Sequence, residues 1–311
     1  MTIHLDGPQR SADLILSGAK ELEKNVEGLA KVGLQELKDV ISSSNRILPD
    51  IFPKFEIEGK DHLATDKTGD TAAQARKRLF GEFEKGVEAV KPDACTQPYN
   101  IGNCYFVAAM ASLAKVNPQA IVDMIKVNDN GTYTVKFPGA AKEITVSQPS
   151  DAEHSQVGGK TKYGDWPLIL MKAYGKYCGG GKSDIDGSDG GSAFSAGVRV
   201  LTDKGVVNYG IGYMIPLQSW SGLDSELKSA LNTKDALPVT VSTAKSLFSE
   251  TTKDGFVRQH VYSVLEYKPN PNDVRQSRVV VRNPHGGPNA TREISLQQFS
   301  DNFLQLSIPR R

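Results

Sequence analysis

Residues 104–116, CYFVAAMASLAKV, are apolar on nearly every side, with Lys115 as their single charge. A helix of that composition has no face for water, so it must be buried inside a domain rather than laid on one. This limits the fold severely, because the surrounding chain has to cover the helix all round. The chain has 311 residues, enough for one large or two modest domains with a sizeable core. A second segment of the same kind, WPLILMKAYGKYC (166–178), follows Asp165, which is placed to cap it.

Around these two segments the pattern runs from helices to strands. Residues 11–48 carry Leu22, Val26, Leu29, Leu37 and Val40 at helical spacing, weakened by Gly18, Gly28 and Gly33 and stopped by Pro49 and Pro53. Residues 58–70 are polar and read as a linker or loop. Thr71 with Gln74 forms a capping-box pattern for a helix that has Ala75, Leu79 and Phe83 on one face. The stretch VKPDACTQP before the buried helix is the expected domain boundary, and Asn117-Pro118 opens a short helix after it. TYTVKF (132–137) and KEITVS (142–147) alternate about a Pro-Gly turn as a hairpin. Glycine is uneven, with 15 of the 29 between Gly158 and Gly222, so GGGKSDIDGSDGGS reads as a loop. SELKSALN is then a short helix, and PVTVST, QHVYSVLEYK and SRVVVRNP are β-branched strands of an antiparallel sheet. Ser295 with Gln298 caps SLQQFSDNF, and LQLSIP is a final strand. The expected class is α+β, with a helical extension over 1–92, a helical lobe over 93–196 and a β-rich lobe over 197–311.

Composition narrows what such a chain does. Lys and Arg number 37 against 36 Asp and Glu, a net charge of +1, which excludes a nucleic-acid binder that relies on a dense basic surface. Three cysteines cannot build a disulfide framework and leave at least one free thiol. No apolar run is long enough to span a bilayer. The start, MTIHLDGPQRSADLILSGAK, lacks the basic and apolar regions of a secretory signal. A cytoplasmic protein is expected, with specialised export of an effector or toxin as the alternative. No Cys/His cluster has zinc spacing. GGGKS (179–183) is not a phosphate loop, because it follows a helix and has Lys176 where the first glycine belongs. Asp184-Ile-Asp186-Gly187-Ser-Asp189 lacks the length and closing glutamate of a calcium loop and reads as a solvated Asp/Gly loop. No cofactor is expected, and calcium finds no support.

The free thiol with chemical promise is Cys104, in Gly102-Asn103-Cys104-Tyr105, where a turn feeds the buried helix. A cysteine there feels the positive end of the helix macrodipole, which favours thiolate, and Gly102 lets the backbone approach closely. Cys95 and Cys178 have no comparable context. A thiol nucleophile needs an imidazole as its proton partner and a third group to orient that imidazole. His260 begins one strand and Asn283 ends the next, 23 residues on, so antiparallel pairing puts both at one end of the sheet. Pro284 stops that strand at the rim. Taken singly, these are a buried small hydrophobe, a sheet histidine and a turn asparagine; only the conjunction points to chemistry.

The same residues carry a family resemblance. Gln97-Pro-Tyr-Asn-Ile-Gly-Asn-Cys104-Tyr-Phe-Val-Ala-Ala resembles the active-site segment of the calpain-like cysteine proteases. Asp165-Trp-Pro-Leu-Ile-Leu-Met-Lys-Ala-Tyr resembles the family's Trp-containing helix, and the glycine-rich 179–197 stretch resembles its segment bordering the substrate cleft. Gln259-His260-Val-Tyr-Ser-Val is similar to its Gly-His-Ala-Tyr-Ser-Val, Val281-Arg282-Asn283-Pro284-His285-Gly286 to its Arg-Asn-Pro-Trp-Gly, and EISLQQFSDNFLQLSI to its final helix and strand. The resemblance spans about residues 93–311 and implies a papain-like, two-lobed fold.

It also implies Cys104 as nucleophile, His260 as general base and acid, and Asn283 as the group orienting the imidazole. The oxyanion site implied is the Cys104 N–H with the Gln97 amide, and the cleft implied includes Gly102, Asn103, Gly190, Gly191 and His285. Gln97 precedes the cysteine by seven residues where the family has six, with Asn100 as a weaker substitute, and Asn103 replaces an aspartate. His285 replaces the tryptophan that shields the Asn–His contact, which implies a more exposed hydrogen bond. The activity implied is endopeptidase action on proteins or peptides. The same residues would serve glutamine deamidation or transglutamination, and a protease fold without activity would serve as a binding module. Residues 1–92 are expected to act in targeting, or to bind a regulator, a chaperone or the protease core itself.

Overall fold

A computed structural model describes residues 71–311, apart from 84, 100, 160, 180–184, 190–193, 212–218, 246–248 and the side chain of Asp186. The helices expected over 11–48 and the linker over 58–70 lie outside the described residues. Thr71 caps α1 (Ala72–Leu79) by the expected box: Gln74 N–H donates to Thr71 Oγ1 and Thr71 N–H to Gln74 Oε1 (2.8 Å). The short α2 (Gly86–Ala89) and a 3-10 turn (Pro92–Ala94) lead to α3 (Cys104–Val116). Ten consecutive residues of α3, from Tyr105 to Ala114, are buried, as its composition requires. Asn117 accepts the Ala120 N–H (3.2 Å) to open α4 (Pro118–Asp123).

A three-stranded antiparallel sheet follows, β1 (Ile125–Val127), β2 (Tyr133–Val135) and β3 (Ile144–Val146), of which β2 and β3 are the expected hairpin. Next come α5 (Asp151–Gln156), α6 (Trp166–Cys178) and α7 (Ala196–Thr202). Asp165 stands at the α6 N-cap but makes no capping bond. Its buried carboxylate lies 3.3 Å from Arg78 Nε and 3.3 Å from His154 Nε2 instead. A buried carboxylate gains more from a guanidinium than from a neutral N–H, which is why the cap is not made. Lys172 and Glu153 form a second buried pair at 2.8 Å, joining α6 to α5.

The remaining chain is β4 (Val206–Gly210), α8 (Trp220–Leu231), β5 (Val239–Ser242), β6 (Val261–Lys268), β7 (Arg278–Arg282), β8 (Thr291–Ser295), α9 (Leu296–Asn302) and β9 (Gln305–Pro309). The sheet order is β4-β9-β5-β6-β7-β8, with antiparallel pairing throughout. The helix expected over SELKSALN begins earlier because Ser219 accepts the Gly222 N–H at 3.2 Å.

Two hydrophobic cores result. One gathers α1, α3, α6, α7 and the small sheet around Phe106, Met110, Trp166 and Leu170; the other gathers α8, α9 and the six-stranded sheet around Leu227, Val264, Phe299 and Leu306. Phe106 and Tyr174 stack with centroids 4.0 Å apart, joining α3 to α6. Ala75, Leu79 and Val90 lie in the same core as α3, so packing does not break at the expected boundary between 92 and 93. Among the described residues no helix is long and apolar enough to cross a membrane.

Candidate active site

Three buried hydroxyl contacts fasten α3 to the six-stranded sheet. Ser263 Oγ donates to Ala108 O (2.8 Å), while Ser112 Oγ donates to Val264 O (3.3 Å) and accepts Val239 N–H (2.8 Å). The spacing is set by backbone geometry. Four helical residues rise about 6 Å, and two strand residues rise about 6.6 Å. Stepping back from the Ala108–Ser263 contact by one such unit brings Cys104 level with Val261, the residue after His260. The Val261 backbone acts on the Cys104 thiol and partly lowers its pKa, in keeping with this register. Two serines set this register: Ser263, within the Gln259-His260-Val-Tyr-Ser-Val motif, and Ser112, which no motif singled out.

His260 and Asn283 meet at the same end of the β6–β7 pair, whose register sets Ser263 opposite Arg282. His260 Nε2 lies 2.9 Å from Asn283 Oδ1. The same oxygen accepts the backbone N–H of His285 at 2.9 Å, and the Asn283 Nδ2 faces Tyr262 Oη at 3.5 Å. A backbone N–H can only donate, so the asparagine must present its oxygen there, and Nε2 must be the protonated ring nitrogen. That tautomer leaves Nδ1 with a lone pair, the state a general base needs. Gln259 holds a left-handed conformation (φ 52°), in the position where the family pattern has glycine. For a non-glycine residue this costs on the order of 1 kcal/mol, strain held immediately before the imidazole.

His285 corrects one expectation. Its ring lies on His260, with centroids 4.3 Å apart and planes at 46°. His260 is only 5% exposed, so its side of the hydrogen bond is covered, while Asn283 is half-buried. The turn that folds His285 back is made by Gly286 (φ 76°), whose N–H donates to Asn283 O at 3.2 Å; a Cβ there would stand 3.0 Å from Thr96 Oγ1.

The thiol is a second correction. Burial pushes Cys104 up to about 11, against the partial lowering by backbone hydrogen bonds at Val261, Tyr105 and Cys104 itself. Burial also pulls His260 down to about 3, helped by His285 and opposed by the Asn283 bond. Desolvation works against the helix terminus and shifts both groups toward their neutral forms. The proton must pass between them, where the resulting opposite charges offset part of each other's desolvation. Cys95 is buried and is pushed up to about 12, chiefly by burial.

Gln97 is buried, and its backbone N–H donates to Pro284 O at 2.7 Å, tying this segment to the rim of β7. Its Nε2 donates to Ile101 O at 2.7 Å, and among the described residues Oε1 has no hydrogen-bond partner. One Nε2 hydrogen remains free for another acceptor. Asn100, Gly190 and Gly191 lie outside the described residues.

The segment 185–189 is not a solvated loop. Ser188 is 1% exposed. Asp189 Oδ1 accepts Gly102 N–H (2.7 Å), Ser188 Oγ accepts from Asn103 Nδ2 (3.1 Å), and Ser188 O accepts from Tyr105 Oη (3.0 Å). Asn103 is fully buried, an anchor of the cysteine turn rather than a cleft surface. A signal was available: one aspartate and one serine beside glycines suit backbone capture as well as solvent. Among the described residues no three His, Cys, Asp or Glu side chains converge to hold a metal ion.

A thiol at a helix start and an imidazole of fixed tautomer are the residue types that cysteine-peptidase chemistry uses. Comparison with known proteins agrees: the family described as "Calpain family cysteine protease" matches residues 82–300. The chain belongs to that family. It is also 28% identical to "Calpain-like protease palB/cpr-8" of Neurospora crassa, over 79% of this chain and 30% of that relative. The chain thus spans about a third of the length of the curated relative it matches.

Proposed function

We propose that the protein is a cysteine endopeptidase acting through Cys104, His260 and Asn283. The observation that carries this reading is the Nε2–Oδ1 contact of 2.9 Å in a polarity that leaves Nδ1 basic. The Cys104 Sγ–H gives its proton to His260 Nδ1 as sulfur attacks the scissile carbonyl. Negative charge collects on the carbonyl oxygen, for which the Cys104 backbone N–H and the second hydrogen of Gln97 Nε2 are the proposed donors. The C–N bond then breaks, the imidazolium protonates the leaving amine, and a thioester remains. Water, deprotonated by Nδ1, attacks the thioester and restores the thiol. Asn283 accepts from Nε2 throughout and so holds the ring in plane.

The two hydrophobic cores support a papain-like, two-lobed arrangement, with the thiol on a helix of one and the imidazole on the sheet of the other. Protein or peptide chains are the proposed substrates, and of the segment expected over residues 1–92 the part before residue 71 is proposed to act in targeting or to bind a regulator, a chaperone or the catalytic core. Incubation with an unfolded protein and with a thiol-trapping peptide electrophile tests the reading. Cleavage together with labelling at Cys104, both lost in Cys104→Ala, is expected. A one-dalton shift or a cross-link in the target without cleavage would instead assign glutamine chemistry, and no turnover or labelling would leave a binding module.

A further inference from the structure

We propose that His285 is a positioning residue whose protonation state governs the reactivity of the Cys104–His260 pair, an inference that rests on the endopeptidase reading. The proton transfer from Cys104 creates an imidazolium at His260. The His285 ring is the surface against which that imidazolium forms, at 4.3 Å between centroids. A neutral His285 offers a polarisable face to the cation. A protonated His285 offers a like charge at contact distance to the buried His260. The same residue also donates its backbone N–H to Asn283 Oδ1, so its main chain is tied to the acceptor that orients His260.

The surrounding groups leave this coupling unopposed. At the head of β6 the titratable groups are His260 and Tyr262, whose ring stands edge-on to His260 with centroids 5.2 Å apart and which burial keeps neutral; on α3 burial pushes Cys104 up in the same sense. From the β7 side Arg282 turns its guanidinium to Asn283 O (3.4 Å) and to Asp93 (3.6 Å), away from the ring pair. Thr96, packed against Gly286, carries no charge. Burial is what moves His285, downward from the ordinary histidine value of 6.5, and among the described residues no carboxylate opposes it. His285 remains exposed at the rim and can exchange its proton with solvent. Acidification below its titration point places the cation and suppresses the pair.

The full-length protein and its His285→Trp and His285→Gln variants provide the test. Both replacements lose the titrating ring, but only tryptophan can still cover His260. Two rates are followed from about pH 5 to about pH 7.5: alkylation of Cys104 by iodoacetamide, located by mass spectrometry, and cleavage of an unfolded protein. In the wild type the alkylation rate is expected to fall on acidification with a one-proton slope. In both variants the fall moves to lower pH by about one unit, so the variant-to-wild-type ratio at about pH 5 exceeds that at about pH 7.5 by about tenfold. A merely structural role would depress the variants equally at both pH values, and profiles of equal shape would overturn the proposal. If alkylation shifts as expected while no cleavage occurs at any pH, the endopeptidase reading fails and the role of His285 stands.

Discussion

Asn283 concentrates more of the site in one side chain than any other residue. Its oxygen accepts from His260 and from the His285 backbone, so truncation removes the tautomer lock and the turn together. Asn283→Ala is expected to lower kcat/KM on a peptide substrate about 100-fold, the scale of a misdirected general base. Fluorogenic peptide assays, with thermal melts to confirm folding, check it. His260 also makes an acid-stability prediction. Its folded value near 3 lies below the unfolded value near 6.5, so the unfolded chain binds the extra proton between them. Stability is therefore fully present above pH ~6.5 and is lost as pH falls from there toward 3. Urea unfolding at pH ~6.5 and ~5 should show wild type losing about 2 kcal/mol more than His260→Gln. The identities of Cys104, His260 and Asn283 were legible because each sits in a short, distinctive local pattern. The charge state of the thiol was not, because the helix terminus is visible in sequence while the burial that outweighs it comes from distant chain.

At the scale of elements, the contact of α3 with β5 and β6 positions the chemistry. Ser112 bridges Val239 N–H and Val264 O from the middle of α3. Ser112→Ala leaves the Val239 N–H buried without that acceptor, at a cost of about 1–3 kcal/mol. Urea denaturation is expected to show that loss with an unchanged m-value, and activity should fall at temperatures where the variant stays folded, because Cys104 shifts against Val261. The strands β6 and β7 were legible from their β-branched runs, and α3 and α6 from their apolarity. The strands β1, β4 and β8 were not, since three to five residues give too short a period. Nor was the place of β9 between β4 and β5, which joins the end of the chain to strands far earlier in it. Asp189 was misjudged for a related reason: its partner is the Gly102 N–H, 87 residues away in sequence.

For the whole molecule, the consequence is where the catalytic unit begins. The resemblance starts near residue 93, yet Ala75 and Leu79 of α1 and Val90 pack into the core that covers α3. Tyr133 Oη donates to Ala75 O at 3.0 Å, and Trp166 Nε1 donates to Ala89 O at 3.3 Å, so buried donors from the small sheet and α6 also depend on this segment. Arg78 pairs with the Asp165 carboxylate at the head of α6. A chain beginning at residue 93 loses two large apolar side chains, each contributing about 1.5–3 kcal/mol of burial, and strands two buried donors at about 1–3 kcal/mol each. A chain beginning at residue 71 keeps all of them. The shorter chain is expected to unfold at least about 5 kcal/mol more readily than the longer one, a sum of the same burial and donor terms, or to be recovered only as aggregate. Comparing their urea transitions decides the point: equal stability would place the start of the folding unit at residue 93 and make α1 dispensable. Assays for inhibition by the preceding residues then have a proper reference, because the chain from residue 71 retains the core around Cys104 while omitting everything before it.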